Sequence, residues 1–218
     1  VRAHGLVTVV QRFVGHGTTT VKTTVTASGY ANKRIETQVN GFVSNVTGFD
    51  GLTFGSTYDG LHRLSTSTAP RTGTTTYLYH PGTTLVSMVR DSVTPTPNTI
   101  ATYGYDAAGR LTLMFDAAGR ATRTEYNSRD QIVHRWGDGT HPVELVYNQL
   151  GEQTELRTYR GGTGWNSPQW PAATAGTPDT TVWNRDPATG LVSERVDAAG
   201  RIASFRYNRR GQMTSRTW

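Results

Sequence analysis

A short aromatic-Asp/Asn-x-x-Gly motif recurs every ten or eleven residues, and no other feature narrows the possible folds as much. It reads Tyr105-Asp106-Ala107-Ala108-Gly109-Arg110-Leu111, then Phe115-Asp116-Ala117-Ala118-Gly119-Arg120, then Tyr126-Asn127-Ser128-Arg129-Asp130 and Tyr147-Asn148-Gln149-Leu150-Gly151. It returns as Val196-Asp197-Ala198-Ala199-Gly200-Arg201 and Tyr207-Asn208-Arg209-Arg210-Gly211, and it has earlier copies at Tyr58-Asp59-Gly60 and Tyr79-His80-Pro81-Gly82. Internal repetition on this scale dictates a repeat architecture. Asp or Asn opening a turn accepts backbone N–H bonds two residues on, and Gly three residues later takes a left-handed conformation, so each copy predicts the turn of a β-hairpin. The intervening segments alternate as strands do, with Leu111, Leu113 and Phe115 on one face.

Composition agrees with this reading. Of 218 residues, 24 are Gly; apolar residues make up 35% and charged residues 17%, which excludes a coiled coil, a charged disordered tail and a membrane span. There is no cysteine, so neither disulfides nor thiolate metal sites enter. At this spacing the chain holds about 20 strands, more than the ~10 an open sheet usually sustains. The expected fold is all-β, with repeated antiparallel β-hairpins forming a curved ribbon or spiral shell. Residues 1–50 read as divergent β-repeats and 51–218 as the repeat region proper. A Gly/Pro/Trp-rich excursion at 161–181 interrupts that region, pinned by Trp165 and Trp170. The opening Val1-Arg2-Ala3-His4-Gly5 lacks an initiator Met and an apolar signal core, so the chain reads as a piece of a longer protein.

The Tyr-Asp-Ala-Ala-Gly-Arg-Leu copy at 105–111 and its relatives resemble the YD repeats of the Rhs family, shared with BC components of insecticidal toxin complexes and with teneurins. The resemblance covers about residues 50 to 218. It implies a hairpin ribbon spiralling into a hollow shell that encloses a C-terminal toxin domain in bacterial members and forms part of an adhesion ectodomain in teneurins. It also implies a secreted or cell-surface setting. Asp186-Pro187-Ala188-Thr189-Gly190 is partly similar to the family's self-cleavage motif, but the repeat resumes after it, so autoproteolysis is not carried over.

Catalysis requires convergent groups, and here the chemistry-bearing residues are scattered. His4, His16, His62, His80, His134 and His141 lack metal-site spacing, and Gly161-Gly162-Thr163-Gly164 lacks the Lys and helix of a phosphate cradle. A catalytic constellation occurs once, whereas the motif residues Tyr58, Asp59, Tyr105, Asp106, Gly109, Arg110, Asp116, Gly119, Arg120, Tyr126, Tyr147, Gly151, Asp197, Gly200, Arg201, Tyr207 and Gly211 repeat. These are therefore read as structural, with the arginines expected to pair with a neighbouring turn's carboxylate. The expectation is a non-enzymatic shell segment without cofactor or metal. Its partners are the rest of the same polypeptide and an enclosed C-terminal domain, and its open strand edges near 1–26 and 202–218 are available for self-association. The alternative is an adhesin or carbohydrate-binding module using Trp165 and Trp170. The net charge of +6 is dispersed, which sets nucleic acid aside.

Overall fold

A computed structural model describes residues 5–15, 17–92 and 98–218. His4 and His16 lie outside them. The chain divides into two compact units, Val1–Thr102 and Tyr103–Trp218. The first contains strands β1 (Leu6–Gly15), β2 (Thr18–Ala27), β3 (Arg34–Val39), β4 (Phe42–Thr47), β5 (Thr53–Tyr58), β6 (Leu64–Ala69), β7 (Gly73–Tyr79) and β8 (Val86–Asp91). Strand β9 (Thr99–Tyr105) runs through the division. The second unit continues with β10 (Leu111–Asp116), β11 (Ala121–Tyr126), β12 (Ile132–Trp136), β13 (Val143–Tyr147), β14 (Gln153–Thr158), β15 (Asp179–Arg185), β16 (Val192–Val196), β17 (Ile202–Tyr207) and β18 (Met213–Thr217).

Each strand pairs antiparallel with its neighbours in sequence, as in Leu113↔Arg123 and Thr124↔Arg135, so the all-β hairpin ribbon is present. The described residues hold 18 strands against the expected 20, because residues 159–178 form the excursion instead of a hairpin turn. Among the described residues β1 pairs only with β2 and β18 only with β17.

Little of the chain is buried. Among the described residues the buried apolar ones are Ala101, Ala121, Trp136, Tyr159, Ala175 and Ala203, and no large side chain is fully enclosed. The accessible surface is 14521 Å². Two separate compact globules of half this mass would together expose only about 11,900 Å². A polar, Thr- and Tyr-rich sheet therefore stands without a second layer, and its stability cannot come from a core in the usual way.

The turns carry the strain that shapes the ribbon. Gly109 and Gly119 have φ of 80° and 76°. His62 (60°) and Asp130 (61°) hold the same left-handed position in the Tyr58 and Tyr126 copies. A non-glycine residue there shows that the rest of the turn imposes the conformation. Replacing Gly109 with Val, a β-branched residue poorly suited to positive φ, should lower unfolding stability by more than about 1 kcal/mol. Urea denaturation checks this; an unchanged midpoint would remove the turn assignment.

Candidate functional site

The repeating site is a side-chain clip across seven of the described turns. Asp106 Oδ1 accepts the Ala108 and Arg110 backbone N–H groups, both at 3.0 Å, while Oδ2 accepts Arg110 Nε at 2.7 Å. Asp59, Asp116 and Asp197 make the same set with Arg63, Arg120 and Arg201. These bonds stabilise the carboxylate and hold all four carboxyls below the usual Asp range. The arginine side chain is the leading cause at Asp59 and Asp106, and its backbone N–H is at Asp116 and Asp197. Where the first residue is Asn, its partner four residues on changes with it. Asn127 Nδ2 donates to Gln131 Oε1 (3.1 Å), Asn148 Nδ2 to Glu152 Oε2 (2.8 Å), and Asn208 Nδ2 to Gln212 Oε1 (2.9 Å). A carboxylate is matched by a donor, and a carboxamide by an acceptor.

Copies 21 residues apart lie on the same edge of the ribbon, and there the clips are linked. In the first unit Tyr58 OH donates to Val43 O at 3.1 Å and Tyr79 OH to Leu64 O at 2.7 Å. In the second, Tyr126 OH donates to Leu111 O and Tyr147 OH to Ile132 O, both at 2.9 Å. The turn arginine lies over the next tyrosine, with Arg63 at 4.3 Å from the Tyr79 ring centre and Arg110 at 4.9 Å from that of Tyr126. Arg110 also reaches the following turn at Asp130 Oδ1 (2.7 Å), and Gln131 Nε2 reaches Gly151 O (2.6 Å). On the opposite edge Arg120 and Arg201 pair with their own turn's Asp116 and Asp197 and remain largely exposed.

One recurrent device escaped the sequence reading. On the linked edge the pairing register skips Ser44, Ser65, Ser87, Val133, Thr154, Ser193 or Thr214. Four of these return a hydroxyl bond across the bulge to a backbone carbonyl: Ser44 to Thr37 O, Thr154 to Val146 O, Ser193 to Asn184 O and Thr214 to Arg206 O. Such bulges raise local twist. At Thr154 and Thr214 the signal was a Thr two residues after the residue that closes the clip, Glu152 or Gln212.

The excursion folds onto one face of the second unit. His134 stacks on Trp170 at 4.3 Å and 12°, and Trp136, Tyr159 and Trp165 surround Trp170 at 5.2 to 5.7 Å. Trp136 Nε1 donates to Ser167 O and Trp165 Nε1 to Gly161 O, both at 3.0 Å. Both predicted tryptophans thus hold the excursion against the sheet. Tyr159 OH donates to Glu144 Oε2 at 2.7 Å, and burial, with that carboxylate second, pushes its phenol up to about 12. A groove of about 630 Å³ beside Trp170 is lined by Arg123, Glu125, His134 and Gln169. At Gly162 an added Cβ would lie 2.2 Å from Ala175 O, so this Gly-rich stretch serves a close backbone approach. His134 Nδ1 lies 2.7 Å from Glu125 Oε2. Asp138 Oδ1 accepts Ala121 N–H (2.6 Å), and His62 stacks on Phe42 at 4.8 Å. No group of three metal-ligating side chains occurs among the described residues.

The family model described as RHS Repeat matches residues 105–141. No curated protein matches the chain. Among solved structures it is similar to a chain of a Photorhabdus luminescens Tc holotoxin pore carrying a TccC3 mutation, with a TM-score of 0.50 at 11% identity. That similarity covers 93% of this chain and 17% of the other. A crystal structure of TcdB2-TccC3 with Cdc42 gives a TM-score of 0.46 at 14% identity, over 95% of this chain and 13% of that one. The chain thus spans less than a fifth of these solved chains, and the first of them shares its fold.

Because the four turn carboxyls have folded-state values below the ordinary Asp 3.8, their stabilisation is complete above about pH 4 and is lost as pH falls through the lower folded values. Stability measured by urea from pH 7 downward should stay level in this respect and then fall below about pH 4. Asp116→Asn should lower the midpoint by leaving Arg120 without its carboxylate, and adding Arg120→Gln should recover more than half of the loss. A double variant no better than the single would refute the matched-pair account. Trp170→Ala should cost about 2 kcal/mol and make residues 161–178 the first segment cut in limited proteolysis.

Proposed function

We propose that this chain, an RHS/YD-repeat protein, is a non-enzymatic structural segment of a longer hairpin ribbon that encloses or scaffolds another polypeptide. The observation that carries this reading is the uncovered sheet. Its clips and tyrosines stabilise one layer of strands from the edge, which leaves broad faces free to meet something else. The parent would be secreted or displayed at a cell surface, in line with toxin-complex components of similar fold. In this reading the rest of a longer parent chain supplies the further strands that enclosure needs. Glycan contact through Trp165 and Trp170 is the weaker reading, because both indoles are packed against other rings and Trp165 Nε1 is engaged by Gly161 O.

The edge strand β1 supports the ribbon reading. It is ten residues long and exposes Leu6, Phe13 and Val14 at 68%, 57% and 72%, with Val7 and Val10 exposed alongside. A long apolar edge of this kind invites another strand. The isolated chain should therefore self-associate with rising concentration in sedimentation analysis, and β1 amides should exchange rapidly at low concentration. A single 23.8 kDa species at all concentrations, with protected β1 amides, would contradict the reading. Hydrolase, transferase and nuclease assays should show nothing above buffer, and turnover abolished by substituting Asp138 or His141 would overturn the non-enzymatic assignment.

A further inference from the structure

The two faces of the second unit carry different charge. Cross-strand pairing places Arg135 beside Val143, Leu145 beside Leu156, Trp183 beside Arg195, and Phe205 beside Arg216, all on the face opposite the aromatic clasp. Successive residues alternate sides, so His134, Glu144, Glu155, Arg157 and Glu194 fall on the clasp face. There the carboxylates Glu125, Glu144, Glu155 and Glu194 offset the cations Arg123, Arg157 and Arg206: Arg157 pairs with Glu144 at 3.1 Å and with Glu155 at 2.7 Å, and Glu125 meets His134. On the other face, among the described residues, none of Arg135, Arg195 and Arg216 has an ion-pair partner. The carboxylates toward that face, Asp116 at the end of β10, Asp179 at the start of β15 and Asp197 after β16, are held by Arg120, Arg160 and Arg201. Arg195 Nε is enclosed without an acceptor, and Arg216 lies 4.0 Å from the Trp218 ring.

We infer that this face docks an acidic, apolar-patterned polypeptide segment through Arg135, Arg195 and Arg216. The inference rests on the reading that the sheet holds another polypeptide, and it specifies that polypeptide's chemistry. Covering three unneutralised guanidinium groups with an uncharged or basic surface leaves their desolvation uncompensated, whereas carboxylates meet them with bidentate bonds. Leu145, Leu156, Trp183 and Phe205 lie among them and call for apolar side chains between the acids. Arg135 is on β12 and Arg195 on β16, roughly 19 Å apart at ~4.8 Å per strand, too sparse a row to track a continuous polyanion.

Fluorescence anisotropy on the full chain tests this with a labelled peptide alternating Glu and Leu, its Lys/Leu counterpart, and a heparin-derived oligosaccharide. The Glu peptide should bind at least about tenfold tighter than the Lys peptide, and added salt should weaken it. Arg135→Gln/Arg195→Gln/Arg216→Gln should abolish that preference, while Arg206→Gln on the clasp face leaves it intact. The salt dependence on the parent chain decides the matter should the triple variant not fold. Equal binding of both peptides, lost on truncating Leu156 and Phe205, would overturn the charge inference and leave the polypeptide-holding reading standing. Absence of binding by either peptide would overturn both, and heparin binding lost in the triple variant without Glu-peptide binding would assign the face to a sulfated glycan.

Discussion

The ribbon depends on a single arrangement: a carboxylate or carboxamide at the first turn position that closes two backbone N–H groups with one oxygen and a side chain four residues away with the rest of its polar group. A hairpin of five or six residues per strand is marginal by itself. Here seven turns are fixed by their own side chain, independently of any distant contact. The left-handed residue inside the turn is then a consequence, which is why His62 and Asp130 can occupy it alongside the glycines. The same clip projects an arginine or glutamine along the edge toward the next copy.

From that projection follows an asymmetry between the ribbon's edges. On one edge tyrosine hydroxyls and turn arginines join hairpin to hairpin, and hydroxyl-bridged bulges tie the two strands within a hairpin. On the other, Asp116–Arg120 and Asp197–Arg201 close their turns and stop there. Edge bonding of this kind substitutes for a core, so the faces need not be apolar. They are free to diverge, one accepting the Trp-rich excursion over a neutralised charge network, the other presenting arginines among aromatic and aliphatic side chains.

Much of the fold was legible because the motif is local chemistry. Asp-x-x-Gly specifies a turn without reference to anything distant, and strand order follows from short connections. The placement of Trp165 and Trp170 followed from composition alone, since a long Gly/Pro segment needs an anchor. What the sequence did not disclose was relational. Arg110 and its counterparts pair first with their own turn's aspartate, and only Arg110 adds the neighbouring Asp130. The tyrosine-to-carbonyl bond spans 15 residues and has no signature beyond the tyrosine itself. The Ser and Thr residues of the bulges were hidden among many others of their kind, and the charge difference between faces emerges only once the register is known.

The central claim, that edge hydrogen bonds rather than a core hold the sheet, is tested most directly by removing two tyrosine hydroxyls while keeping their rings. The account predicts that Tyr126→Phe/Tyr147→Phe loses about 2 kcal/mol of unfolding stability in urea, near the sum of two bonds worth about 1 kcal/mol each. An unchanged midpoint in that double variant, alongside a large loss on truncating Leu113 to Ala, would place the stability in apolar packing and contradict it.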